Sequence, residues 1–224
     1  MEIKTPVIML NLKAYAESIG EKGLELARAC QQVTEETGVS TAVCPQNFDL
    51  AWIAKHVDIP CLAQHVDAFS PGSHTGWTVL EAVKASGAVG TLVNHSEHRL
   101  QIADIEAIVY KARELDLVTV VCTNNTQVSS AVAALKPNMI AIEPPELIGS
   151  GIPVSKANPE IVRGSVNAVK GICEDVSVLC GAGISKGDDV KAAIELGTDG
   201  VLLASGVVKA KDPKEVLIDL ASGV

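Results

Sequence analysis

Short apolar runs recur eight times along the chain, at 7–12, 40–43, 60–64, 90–94, 119–122, 139–143, 177–181 and 200–203. Each is rich in β-branched and small apolar residues and is bounded by polar or glycine-containing segments, as buried strands are. Between the runs the period changes. Ile105, Ile108, Val109 and Ala112 stand at i, i+3, i+4 and i+7, one face of a helix. Helix starts are also marked. Asn158-Pro159 puts a cap residue before a proline at the first helical position, and Asp212-Pro213-Lys214-Glu215 adds a capping glutamate. Ser185-Lys186-Gly187-Asp188 resembles a capping box, and Gly197 closes the helix it opens. Eight strand–helix units predict a closed eight-stranded α/β barrel spanning residues 1–224 as one domain, with a doubly wound sheet as the alternative.

Composition supports that class. A chain of 224 residues with 47% hydrophobic but only 3% aromatic residues builds its core from aliphatic side chains, as parallel sheets covered by helices do. No Pro/Gly/Ser-rich linker divides it. A net charge of -9 with no basic run argues against nucleic acid or an anionic membrane as partner. A small anionic ligand stays open, because backbone N–H groups and one lysine suffice for a local positive site. The N-terminal run lacks a signal peptide's charged start and long apolar region, and no apolar run is long enough to span a membrane. The six cysteines form no CxxC pair and read as buried free thiols in a reducing cytoplasm. His56, His65, His74, His95 and His98 show no zinc-ligand spacing, so no metal is expected.

In a barrel the C-terminal ends of the strands converge on one mouth, so distant strand ends can be read as one site. The run Met139-Ile140-Ala141-Ile142 delivers one carboxylate, Glu143, to its end. Pro144-Pro145 then stiffens the exit and Gly149-Ser150-Gly151 loosens it, the layout of a general base followed by a swinging lid, or of an ordinary polar strand end and loop. The first strand ends in Asn11-Leu12-Lys13, where period two turns the amide and the ammonium to the same side. Taken alone, Lys13 reads more readily as an ordinary solvated lysine at a loop start. The fourth strand ends in Asn94-His95-Ser96-Glu97-His98-Arg99, where a neutral His95 can donate a hydrogen bond to a substrate oxygen or simply brace a helix start. Two more strands end in chargeless turns, Gly181-Ala182-Gly183-Ile184 and Ala204-Ser205-Gly206, whose exposed N–H groups suit a phosphate.

Asn11-x-Lys13, Asn94-His95-Ser96-Glu97, and Ala141-Ile142-Glu143-Pro144 with Ile148-Gly149-Ser150-Gly151, in this order and on these strands, resemble the triosephosphate isomerase family. The likeness runs from Val7 to the C-terminal helix. Gln64-His65-Val66-Asp67 through Thr75-Gly76 is similar to the family's third loop, which reaches into a neighbouring subunit. The short chain, and Pro144-Pro145-Glu146-Leu147 in place of a Trp-containing lid, resemble the archaeal branch. His98 stands where a second arginine is common, and Gly183 stands where others place serine, which leaves the backbone N–H available.

The resemblance implies a single TIM barrel that interconverts dihydroxyacetone phosphate and glyceraldehyde 3-phosphate in the cytoplasm, in glycolysis and gluconeogenesis, without a cofactor. It implies Glu143 as the base, His95 as the carbonyl-polarising group, Lys13 as the positive charge and Asn11 as its aid in orienting substrate. Ile148 and Gly149 on the lid, with Gly183, Ala204 and Ser205, would hold the phosphate by backbone groups. Glu97 and Arg99 would brace the loops. The third loop implies a homodimer, and outer helices that pair dimers would make a homotetramer. Another phosphate-binding barrel enzyme, from tryptophan or thiamine biosynthesis, would share the turns after strands seven and eight but not the set Asn11, Lys13, His95 and Glu143. A non-catalytic barrel that only binds would have lost at least one of Lys13, His95 or Glu143, and all three are present.

Overall fold

The computed structural model describes residues 2–144, 153 and 157–224. Its strands are β1 (Val7–Asn11), β2 (Ser40–Cys44), β3 (Leu62–Ala63), β4 (Gly90–Val93), β5 (Val118–Thr123), β6 (Met139–Ile142), β7 (Ser177–Gly181) and β8 (Gly200–Leu203). They form one parallel sheet in the order β2-β1-β8-β7-β6-β5-β4-β3. A single parallel bridge between Val43 and Cys61, with the Val43 N–H donating to the Pro60 carbonyl at 3.0 Å, brings the β2 and β3 edges together. The sheet is thus a nearly closed barrel and not the doubly wound alternative, whose edges would stay apart.

All eight apolar runs are strands, with small differences at their ends. The third is the shortest, two residues of the predicted five, because Pro60 has no N–H to give to a ladder. The fourth stops at Val93, since Asn94 turns into the left-handed region at φ 59°.

Between and around the strands lie α1 (Glu21–Thr37), α2 (Asn47–Ile53), α3 (Leu80–Ala85), α4 (Ile102–Glu114), α5 (Thr126–Ala133), α6 (Pro159–Ile172), α7 (Gly187–Glu195), α8 (Ser205–Val208) and α9 (Pro213–Ala221). Ile105, Ile108, Val109 and Ala112 of α4 are all buried, as their spacing requires. Asp212 caps α9 by accepting the Glu215 N–H at 3.1 Å. At α7 the reciprocal carboxylate is Asp189, one residue beyond the predicted box; its Oδ2 accepts the N–H groups of Ser185 and Lys186 at 3.1 and 3.2 Å.

Period two splits the core into two layers. Val7, Met9, Ala42, Cys44, Leu92, Val120, Cys122, Met139, Ala141, Leu179 and Leu202 fill the barrel interior. Their neighbours Ile8, Leu10, Val43, Val93, Val121, Ile140, Ile142, Val178, Val201 and Leu203 face the helices. Burying each leucine-sized side chain contributes about 1.5–3 kcal/mol. The alternation also aims the site: continuing Val7–Met9 inward gives Asn11, and continuing Met139–Ala141 inward gives Glu143. Among the described residues no helix is long and apolar enough to cross a membrane. None of the six cysteines is in a disulfide, and only Cys173 is not fully buried.

Candidate active site

Glu143 arrives at the mouth directly after β6, its N–H donating to the Thr123 carbonyl at 2.7 Å. It is buried, and its Oε2 has no hydrogen-bond partner among the described residues. His95 Nε2 lies 3.5 Å from that oxygen. A buried carboxylate oxygen left without a donor is costly, and such atoms cluster where a ligand or a proton is to be received. The space for Glu143 comes from Gly181 at the end of β7: a Cβ there would stand 2.5 Å from Glu143 Cγ. Cys122 also hydrogen-bonds to Glu143; burial, and then the neighbouring carboxylate, push the Cys122 thiol well above its usual pKa. That thiol stays protonated and able to donate.

His95 is buried and opens a single turn at 95–98, closed by the His98 N–H on the His95 carbonyl at 2.8 Å; α4 begins only at Ile102. The expected helix N-terminus is therefore absent at this residue. The Glu97 N–H instead donates to His95 Nδ1 at 3.2 Å, which makes Nδ1 an acceptor and leaves the proton on Nε2, the nitrogen beside Glu143. Asn94 fixes the turn. Its amide donates to the Cys122 carbonyl at 3.0 Å and accepts the Leu100 N–H at 2.9 Å, while Arg99 reaches the Asn94 carbonyl at 3.2 Å.

Period two carries Asn11 to the mouth, but Lys13 lies beyond the strand and reaches the same hollow by a left-handed turn at φ 49°. Asn11 makes that turn, its Oδ1 accepting the Lys13 N–H at 3.0 Å. Gln64 holds it from the far side, donating to the carbonyls of Lys13 and Cys44 at 3.0 and 2.9 Å. The Lys13 ammonium pairs with Glu97 at 2.9 Å, and Glu97 is largely exposed, so this partner can be displaced. Lys13, Asn94 and Ala182 are all non-glycine residues at positive φ; Asn94 and Ala182 directly follow β4 and β7, and Lys13 stands two residues beyond the end of β1. Strain of this kind gathers at working sites.

One hollow is lined by Asn11, Lys13, Glu143, Gly183, Ala204 and Ser205, six of the residues singled out from the sequence. Ala182 and Gly183 turn consecutively at φ 69° and 72°, which bends the loop after β7 over the hollow. Ser205 opens α8, whose first-turn N–H groups have no carbonyl of their own helix to serve. Ile148 and Gly149, and the segment 145–152 with them, lie outside the described residues.

Some contributors carried no signal in the sequence. The contacts of Gly181 and Cys122 with Glu143 are made across strands, Tyr15 lines the hollow from the loop after β1, and Gln64 stands out in the sequence only as part of the third loop. In that loop His65 stacks on His98 with ring centroids 3.7 Å apart, while His65 Nε2 lies 3.0 Å from Asp67. Burial holds the His65 pKa below its ordinary value, against the pull of Asp67.

Fold and mouth define the class: a (β/α)8 barrel whose polar residues gather at the C-terminal ends of its strands, with a carboxylate and an ammonium lining one hollow and an imidazole, outside that lining, 3.5 Å from the carboxylate. A profile of the triosephosphate isomerase family matches residues 6–222. The chain is 56% identical over its whole length to the triosephosphate isomerase of Methanothermobacter thermautotrophicus, covering 98% of that protein. It is 59% identical to that of Methanocaldococcus jannaschii, over 96% of this chain and 98% of the other, and 57% identical to that of Methanothermus fervidus, over 96% and 97%. The chain belongs to the triosephosphate isomerase family.

Proposed function

We propose that the chain interconverts dihydroxyacetone phosphate and D-glyceraldehyde 3-phosphate through an enediolate, with Glu143 moving the proton. Glu143 takes the proton from the carbon next to the carbonyl and returns it to the adjacent carbon. His95, with Nδ1 occupied by the Glu97 N–H, donates from Nε2 to the carbonyl oxygen and stabilises the charge that develops there. Lys13 exchanges Glu97 for the substrate and its developing oxyanion. Asn11 acts mainly by fixing the Lys13 backbone. Gly183, Ala204 and Ser205 receive the phosphate through backbone N–H groups, as paired loops after the last two strands do in barrels.

The observation that carries this reading is the unpaired, buried Glu143 Oε2 facing His95 Nε2 at 3.5 Å. Glu143→Gln keeps the shape and removes the base. Its kcat is expected to fall by about 100- to 10,000-fold, the range for a lost general base, with KM nearly unchanged. A coupled dehydrogenase assay on the purified protein reads this; wild-type turnover in Glu143→Gln refutes the assignment.

The reading extends to assembly and place. Phe48, Phe69 and Trp77 expose 98%, 41% and 53% of their surface, and Phe69 packs on both His74 and Trp77 in the third loop. An aromatic group of this kind suits burial against a second copy, so the protein acts as a homodimer or a homotetramer. Light scattering that finds only the monomer mass refutes this. Residues 1–224 form one domain, and the mostly buried thiols, none in a disulfide, suit a reducing cytoplasm.

A further inference from the structure

Tyr15 shares the hollow with Asn11, Lys13 and Ser205, yet the mechanism above gives it no role. Its main chain is fixed: its carbonyl accepts both the N–H and the hydroxyl of Ser18 at 3.0 Å, and the Ser18 hydroxyl also reaches the Leu12 carbonyl at 2.7 Å. Its side chain is only half-buried and takes its hold from elsewhere. Lys209 Nζ lies 4.4 Å from the centre of the Tyr15 ring. Lys209 caps the end of α8, its N–H donating to the Ser205 carbonyl at 3.1 Å. One short helix thus presents its first residue to the hollow and its last cation to the hollow's wall.

We propose that Tyr15 is a substrate-contacting wall of the phosphate hollow and that Lys209 is the residue positioning it; the proposal rests on the phosphate reading given above. The chemistry follows from the ring. An aromatic face is electron-rich and disfavours an anion, but a cation seated against the ring offsets that charge. The Tyr15–Lys209 pair is therefore a wall that tolerates phosphate, keeps water from that side and adds positive field without a direct contact. It also ties the loop after β1, which carries Lys13, to the loop after β8, which carries Ser205. Charge on the ligand is what this wall recognises, so it favours phosphorylated trioses over their neutral parents.

The test uses the intact protein and inorganic phosphate as a competitive inhibitor. Lys209→Met leaves an apolar stem on the ring and removes the cation. Both Lys209→Met and Tyr15→Leu are expected to raise KM and the phosphate Ki roughly 3- to 10-fold, the scale of one cation–π contact, with kcat nearly unchanged. Lys209→Arg, which keeps the cation on the ring, is expected to restore both. Because Lys209 acts through Tyr15, the double variant is to be no worse than Tyr15→Leu alone. Circular dichroism and Tm check that each variant folds. Wild-type Ki and KM in Lys209→Met, or losses that multiply in the double variant, overturn the proposal. Wild-type protein that phosphate does not inhibit overturns the phosphate reading first, and this one with it.

Discussion

A missing side chain is as much a part of the site as those present. Gly181 has an ordinary strand conformation, so its value is spatial: Glu143 Cγ would meet a Cβ at 2.5 Å and Oε1 would meet it at 3.0 Å. Backbone cannot yield easily within a barrel strand, so Gly181→Ala must push the carboxylate. A displacement of about 1 Å at a reacting group can cost on the order of 100-fold in rate. We expect Gly181→Ala to lower kcat by about 10- to 100-fold, with KM little altered, read in the same coupled assay. A Gly181→Ala enzyme with normal kcat would show that Glu143 has slack to spare. Cys122 acts on the same carboxylate with a thiol that burial keeps protonated. Glu143 thus has a donor and a gap as neighbours, neither adjacent to it in sequence.

Loops here are set by the elements they leave and enter. The turn after β7 owes its shape to Asp189 in the first turn of α7, whose carboxylate collects the N–H groups of Ser185 and Lys186 and lies 3.4 Å from the Ser185 hydroxyl. Replacing such a cap costs about 0.5–2 kcal/mol. We expect Asp189→Ala to destabilise the fold by that amount in a denaturant titration and to raise KM, because Gly183 and Ser185 lose their anchor. A variant with lowered stability and unchanged KM would separate the loop from substrate binding. This level also shows why the sequence was readable in part. The strands were legible because their β-branched runs repeat, and the helix face of α4 because its period is clear. Glu143 and Asn11 were legible because period two carries each inward from its strand. Lys13 was found for an incomplete reason: the strand ends before it, and a left-handed turn completes the path. The sequence puts His95 at a helix start, whereas the residue opens a single turn whose Glu97 N–H donates to Nδ1. The contacts of Gly181 and Gln64 depend on which strands become neighbours, and that of Tyr15 on the loop after β8 coming beside the loop after β1, information that no local window contains.

At the scale of the whole molecule, the interior sets a limit on alkaline stability. Burial pushes the Cys30 and Cys61 thiols up to about 12 from 9.0, and Cys44 and Cys122 well above 9.0. The folded state keeps these protons while the unfolded chain releases them. Their contribution is therefore complete below about pH 9 and is lost as pH rises toward 12. We expect the urea midpoint to fall between pH 9 and 10.5, and the fall to be shallower in Cys30→Ala, which lies on α1 away from the mouth; an identical slope would clear that thiol. The barrel's closure bears on catalysis as well. Backbone pairing is generous around most of the hoop and scant at one place, where β2 meets β3 through a single bridge. Gln64 crosses that place, one amide fastening the Cys44 carbonyl of β2 to the Lys13 carbonyl after β1. The sheet is in effect a belt, Gln64 is its buckle, and the turn that carries Lys13 is threaded through it. The scantiest stretch of backbone pairing is thereby tied to Lys13, while Glu143 and His95 are held by other contacts.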